Sequence, residues 1–266
     1  LQQRVLAPLG MGSASFSAAP PPDAAMSKAY RQGRAIDEPA LADVPAGGLN
    51  ASVTDLAQFM KAVFADGRPV LQSPATLREM LRVQNGEVPL DQDFRVGLGW
   101  MLSTLGGEPL EGVDGVGPVA HHGGATVAFR SQLVLAPAQR LGVIVAANSS
   151  TAAPVVNRVA QRALALAIQA RTGIAAPAES SPAPPPPVVD WPPAMRAALE
   201  GEYTSLAGRV RVLRHGEGLR AEALGQTFDL LPLADGSVRI RLRLFGLLPW
   251  SLGELDRLTL KLVPVD

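Results

Sequence analysis

Val119-Ala120-His121-His122-Gly123-Gly124-Ala125-Thr126-Val127-Ala128-Phe129-Arg130-Ser131-Gln132-Leu133-Val134-Leu135-Ala136-Pro137 is the stretch whose reading decides the fold. His122-Gly123-Gly124 reads as the glycine-rich start of a turn, since glycine lets a backbone bend or approach a ligand without side-chain clash. The run that follows is strand-like, and Pro137 stops it because proline donates no ladder hydrogen bond. A second apolar strand, Leu141–Ala147, comes next and closes on Asn148. Adjacent histidines on a strand point to opposite faces, and no third ligand stands at a sensible spacing, so His121 and His122 do not read as a metal site.

Working outward, helices flank these strands. Ala152–Thr172 is Ala-rich and amphipathic, its apolar run broken by Asn157, Arg158, Gln161, Arg162 and Gln169, and Gly173 is its stop. Upstream, Ser52 or Thr54 can cap a helix whose first turn holds Asp55, favourably placed at the positive end of the helix dipole. Leu56, Phe59, Met60 and Val63 recur at helical spacing, and Gly67 and Pro69 end that helix. Ser73-Pro74 opens a shorter helix to Val83, with proline at its first position. Gly97-Leu98-Gly99-Trp100 predicts a closely packed strand. Leu1–Gly12 reads as the end of a helix, and residues 13–46 as loop with Tyr30 its one large anchor.

Composition bounds the function. The chain has 266 residues, 47% apolar and 18% charged, with zero formal net charge. It is globular, and nothing global steers it toward nucleic acid or an acidic membrane. The absence of cysteine excludes thiol nucleophiles, disulfides and iron–sulfur ligation. No uninterrupted apolar stretch reaches the ~18 residues a spanning helix needs. Between residues 175 and 193 stand eight prolines, which favour a semi-rigid polyproline spacer. Beyond it, Arg209–Arg214, Leu219–Leu224, Thr227–Leu231, Val238–Leu244 and Leu255–Val263 alternate as strands, with His215–Gly218 and Asp235-Gly236 as turns. Arg239, Arg241 and Arg243 form the charged face of one such strand, opposite Val238, Ile240, Leu242 and Leu244. That is a solvated face rather than a nucleic-acid site.

Four phrases occur together and in order: Pro8-Leu9-Gly10-Met11, Ala46-Gly47-Gly48-Leu49 with Thr54-Asp55-Leu56-Ala57-Gln58-Phe59, Gly97-Leu98-Gly99-Trp100, and His121-His122-Gly123-Gly124. This set resembles the serine β-lactamase and penicillin-binding-protein family, in its class C and esterase-like branch. The resemblance implies an α/β (α+β) fold: an antiparallel sheet flanked by helices, here incomplete, followed by a small β-domain. Residues 1–174 match the C-terminal part of the hydrolase domain, 175–193 are the linker, and 194–266 resemble a small lipocalin-like β-domain.

The family works through an acyl-enzyme and needs no cofactor. By the resemblance, His122 occupies the Lys/His position on the strand that walls the cleft. There it supports the family's tyrosine and a substrate carboxylate or ester oxygen, and an imidazole suits the task because its charge changes near neutral pH. Gly123 and Gly124 let substrate approach the strand, and Ala125 falls where the second oxyanion N–H lies. Small-molecule esters, peptides or β-lactams are the implied partners. Gly123 in place of a hydroxyl residue, and Val127-Ala128 where many relatives have glycines, favour esters or peptides over penicillins. Relatives are usually exported, which implies periplasm or secretion.

The family's other motifs are missing. The residues three before Lys28, Lys61 and Lys261 are Ala25, Gln58 and Leu258, so there is no Ser-x-x-Lys. Tyr30 and Tyr203 are followed two residues on by Gln32 and Ser205, so there is no Tyr-x-Asn. The expectation is a serine hydrolase fragment, inactive alone and with an unpaired sheet edge. The competing reading is a non-catalytic binding module that kept the cleft and lost the nucleophile.

Overall fold

Local chemistry sets where the helices start. In the computed structural model, residues 1–18, 26–88, 94–103, 115–175, 186–205, 208–244, 248–249 and 259–260 are described. They divide into two units, Leu1–Glu179 and Ser180–Asp266.

The first unit opens with a π-helical turn at Gln2–Leu6, where a helix end was predicted. Residues 13–46, expected to be loop, carry short elements: β1 (Ser15–Phe16), a hairpin of β2 (Ala29–Arg31) and β3 (Arg34–Ile36), and a helical turn α1 (Val44–Gly47). Strands of two or three residues show no readable alternation, and that is why the sequence hid them. β4 (Leu49–Asn50) pairs with β1. Then come α2 (Val53–Phe64) and α3 (Pro74–Met80). Ser52 caps α2 in a full capping box: its hydroxyl accepts from the Asp55 N–H at 3.1 Å, and the Asp55 carboxylate accepts from the Ser52 N–H at 3.2 Å. Ser73 caps α3, its hydroxyl accepting from the Ala75 N–H.

A five-stranded antiparallel sheet follows, ordered β5 (Arg95–Val96), β6 (Met101–Ser103), β7 (Val119–Ala125), β8 (Arg130–Ala136) and β9 (Leu141–Ala147). The phrase Gly97-Leu98-Gly99-Trp100, expected to be a strand, is the turn between β5 and β6, closed by the Gly97 N–H donating to the Trp100 carbonyl at 2.8 Å. A methyl on Gly97 would lie 2.1 Å from the Met80 carbonyl oxygen, so that turn is seated on the end of α3. The 20-residue α4 (Ala153–Thr172) ends at Gly173, which takes the left-handed conformation (φ 78°).

Strand alternation sorts the core into two layers. Val119, Val134 and Ala136 face α4, meeting Ala160, Leu164 and Ile168. Ala120, Leu133 and Leu135 face the other way, onto Met60, Val63, Leu77 and Trp100 from α2, α3 and the β5–β6 turn. Each fully buried Leu, Ile or Val on these faces contributes roughly 1.5–3 kcal/mol. No helix among the described residues is long and apolar enough to cross a membrane.

The second unit starts inside the proline-rich stretch. The Ala234 N–H donates to the Pro187 carbonyl and the Val189 N–H to the Pro232 carbonyl, each at 3.0 Å. The spacer expected over 175–193 therefore differs at its C-terminal end, where Pro187–Val189 are hydrogen-bonded to the β-module. α5 (Pro193–Leu199) precedes an antiparallel meander of β10 (Gly201–Ser205), β11 (Gly208–His215), β12 (Gly218–Ala223), β13 (Gln226–Pro232), β14 (Val238–Leu244) and β15 (Leu248–Pro249). Of the strand expected over Leu255–Val263, β16 (Thr259–Leu260) pairs with β14, and the rest lies outside the described residues. Leu199, Val212, Leu219, Leu230 and Val238 form this unit's core, with Trp191 and Ile240 against it.

Candidate active site

β7 runs antiparallel to β8 in unbroken register, from Ala120 opposite Leu135 to Ala125 opposite Arg130. His122-Gly123-Gly124 thus lies inside a strand rather than at the start of a turn. The turn is Thr126–Phe129, where the Thr126 N–H donates to the Phe129 carbonyl at 3.1 Å. The backbone of Thr126 therefore points at the partner strand. In an antiparallel ladder this direction alternates, so Gly124 and His122 also point at β8, while Ala125, Gly123 and His121 point away from it.

On that outward side β6 is short. It pairs with Val119, Ala120 and His121 and begins at Met101, opposite His121. Among the described residues no strand covers the outward edge of Gly123 and Ala125. Their N–H and C=O groups form an open edge, which can pair with an extended ligand as an added strand does. All four residues from His122 to Ala125 are exposed.

His122 shares the α2/α3 face of the sheet with Ala120. Its Nδ1 lies 2.7 Å from the Gly123 carbonyl oxygen. A carbonyl only accepts, so Nδ1 carries the proton and the ring leans over the open edge. Neutral His122 then presents an unprotonated Nε2, able to take a proton or accept a hydrogen bond. His121 points to the α4 face and is half-buried. Its Nδ1 meets the Gln132 Nε2 at 3.4 Å. Burial, and then the positive charge His122 can carry, hold the His121 imidazole below the ordinary histidine range.

The glycines are tight as well as small. A methyl on Gly123 would come 3.0 Å from Gln132 Oε1, and one on Gly124 would come 2.4 Å from Ser131 Oγ. Sequence reasoning missed two groups beside the site. Arg130 Nη1 donates to the carbonyls of Thr126 at 2.5 Å and Phe129 at 2.7 Å. From a remote loop, Glu38 Oε1 accepts from the Val127 N–H at 3.0 Å. No motif spacing signals Glu38, because its partner is 89 residues away.

A family model described as Beta-lactamase matches residues 1–168. The chain belongs to the beta-lactamase family. The solved structures similar to it have the same fold. One titled "Crystal structure of SurE" has a TM-score of 0.62 at 22% identity, over 93% of this chain and 56% of that one. Its counterpart "with D-Leu" gives 0.60 at 22%, over 93% and 55%. A penicillin-binding protein homologue from Pyrococcus abyssi, described as octameric, gives 0.51 at 22%, over 92% and 53%. The chain thus spans little more than half the length of these beta-lactamase-fold structures. No curated protein matches the sequence. Family membership and the antiparallel sheet flanked by helices agree with the sequence reading.

Proposed function

We propose that β7 is the third active-site element of a class C-type serine hydrolase that acts on esters, peptides or β-lactams through an acyl-enzyme. The observation that carries this reading is the open edge at Gly123 and Ala125, with the His122 ring leaning over it. The acyl group lies along that edge as an added strand. The serine hydroxyl adds to the acyl carbonyl and its proton passes to the lysine one helical turn away. The Ala125 N–H and the nucleophile's own N–H hold the oxyanion. Collapse expels the alcohol or amine with a proton, and water then releases the acid and restores the serine. His122 stabilises the tyrosine of the relay and the substrate's polar end. Gly123 and Gly124 keep the wall free of side chains.

Ser-x-x-Lys and Tyr-x-Asn are absent from the 266 residues. Residues 1–266 alone are therefore inactive in this reading, and the nucleophile belongs to another part of the natural protein. The same absence favours a second reading, a binding module that retains the cleft without catalysis. We also place the protein in the periplasm or outside the cell, a proposal that cell fractionation tests.

A fluorophosphonate serine probe separates the two readings, read as an intact-mass shift. Labelling of the natural full-length protein but not of polypeptide 1–266 supports the hydrolase. Labelling of 1–266 itself would put the nucleophile on a serine of this chain and overturn the mechanism. Labelling of neither favours the binding module.

A further inference from the structure

We infer that Glu38 is a positioning residue for the Ala125 end of the site. The inference rests on the proposed hydrolase reading and extends it to a residue far away in sequence. The β2–β3 hairpin that leads to Glu38 is stitched to the end of β9. The Tyr30 N–H donates to the Asn148 carbonyl and the Ser150 N–H to the Tyr30 carbonyl, both at 3.0 Å, and Asn148 Nδ2 donates to the Lys28 carbonyl at 2.8 Å. This docking delivers the Glu38 carboxylate to the tip of the β7–β8 hairpin.

There one carboxylate oxygen receives two successive backbone donors. Val127 N–H lies 3.0 Å from Glu38 Oε1 and Ala128 N–H lies 3.5 Å from it. Successive N–H groups converging on one point form an anion-binding nest, and a negative oxygen satisfies it better than a neutral one. Glu38 Oε2 is buried and has no hydrogen-bond partner among the described residues, so Oε1 alone makes the attachment. The opposite polarity of the same turn is met by Arg130, on the Thr126 and Phe129 carbonyls. The Phe129 N–H donates to Thr126 Oγ1 at 3.1 Å. Every backbone group named here is thereby tied down, and Ala128 is fully buried.

The consequence falls on the adjacent residue. Thr126 begins the turn and Ala125 precedes it directly, so the Gly124–Ala125 peptide that carries the Ala125 N–H is held by the β8 ladder on one side and by the turn that Glu38 fixes on the other. A donor aimed at developing charge loses its effect when displaced by about 1 Å. Glu38 touches no substrate; it sets the direction of a group that does.

The test uses the natural full-length protein, with p-nitrophenyl acetate turnover and hydrogen–deuterium exchange of the peptide spanning 125–129 as readouts. Glu38→Ala is expected to lower kcat about tenfold or more, with KM within about threefold, because the loss is confined to the transition state. Exchange in 125–129 quickens in the same variant. Glu38→Gln keeps the acceptor oxygen and holds kcat within about threefold of wild type. If Glu38→Ala does not fold, Glu38→Asp, which withdraws the carboxylate by one methylene, is read in the same way. A folded variant with kcat within about twofold of wild type, or with unchanged exchange at 125–129, overturns the inference. Wild-type protein that neither turns over the ester nor labels with the fluorophosphonate would instead sink the hydrolase reading. The exchange measurement would then decide by itself whether Glu38 holds the hairpin.

Discussion

Gly124 lies directly across from Ser131 in the β7–β8 ladder, so close that a methyl group on Gly124 would sit 2.4 Å from the Ser131 hydroxyl. The contact couples the candidate site to its supporting strand. Gly124→Ala is expected to cost about 1–2 kcal/mol, since overpacking forces Ser131 off its position. Ser131→Ala removes the opposing oxygen, so the double variant recovers most of the loss. Chemical denaturation of the four proteins closes the cycle, and additive losses would refute the contact.

Asp55 supplies an acid-sensitive anchor for α2. Burial raises its carboxyl, but the hydrogen bonds from Ser13 and Ser52 outweigh that and hold it below the usual carboxylate range. A lowered folded-state value means stability is present above the unfolded value of about 4 and is lost as pH falls through the folded one. Asp55→Asn should flatten the decline of stability as pH falls below about 4. Ser52→Ala should cost about 1 kcal/mol at neutral pH through the lost cap. Denaturant midpoints across that pH range check both.

His121 and His122 should be opposite tautomers when neutral. The Gly123 carbonyl demands a proton on His122 Nδ1, whereas the Gln132 amide donates to His121 Nδ1 and leaves the proton on Nε2. Long-range proton–nitrogen NMR correlations distinguish the two patterns. Because the folded state depresses His121, the unfolded chain takes up its proton first, near pH 6.5. Stability therefore falls as pH drops below that value, and His121→Gln should remove this component.

Within the β-module, Asp229 faces Arg220 and Arg241 directly across its two neighbouring strands, at 3.3 and 3.1 Å. Asp229 is only 8% exposed, so deleting it leaves two guanidinium groups facing each other at a half-buried site. Asp229→Ala should cost about 3 kcal/mol. Faster amide exchange in β12, β13 and β14 would localise the effect, and unchanged denaturation would reject it.

Signals confined to a few neighbouring residues were legible without the fold. Ser52 with Asp55, Ser73 with Pro74, and Gly173 mark helix ends because a cap is chemistry between residues two to four apart. The continuous apolar run Leu133–Ala136 marks a strand covered on both faces, and the alternation in Val238–Leu244 marks one with a single apolar face, because a pleat repeats every two residues. The Gly97–Trp100 phrase misled for the opposite reason: glycines that permit a packed strand also permit a turn, and only the seat on Met80 decides between them.

By itself, the sequence determined helices α2, α3 and α4, strands β8, β9 and β11 to β14, and the family. All of these rest on local periodicity, capping and ordered phrases. Tertiary structure decided where β6 begins, and hence that Gly123 and Ala125 keep an open edge. It also decided that Glu38 reaches the Val127 N–H from 89 residues away. Strand register and loop docking are set by which apolar faces bury together and by the closure of long loops, and no short window of residues records either.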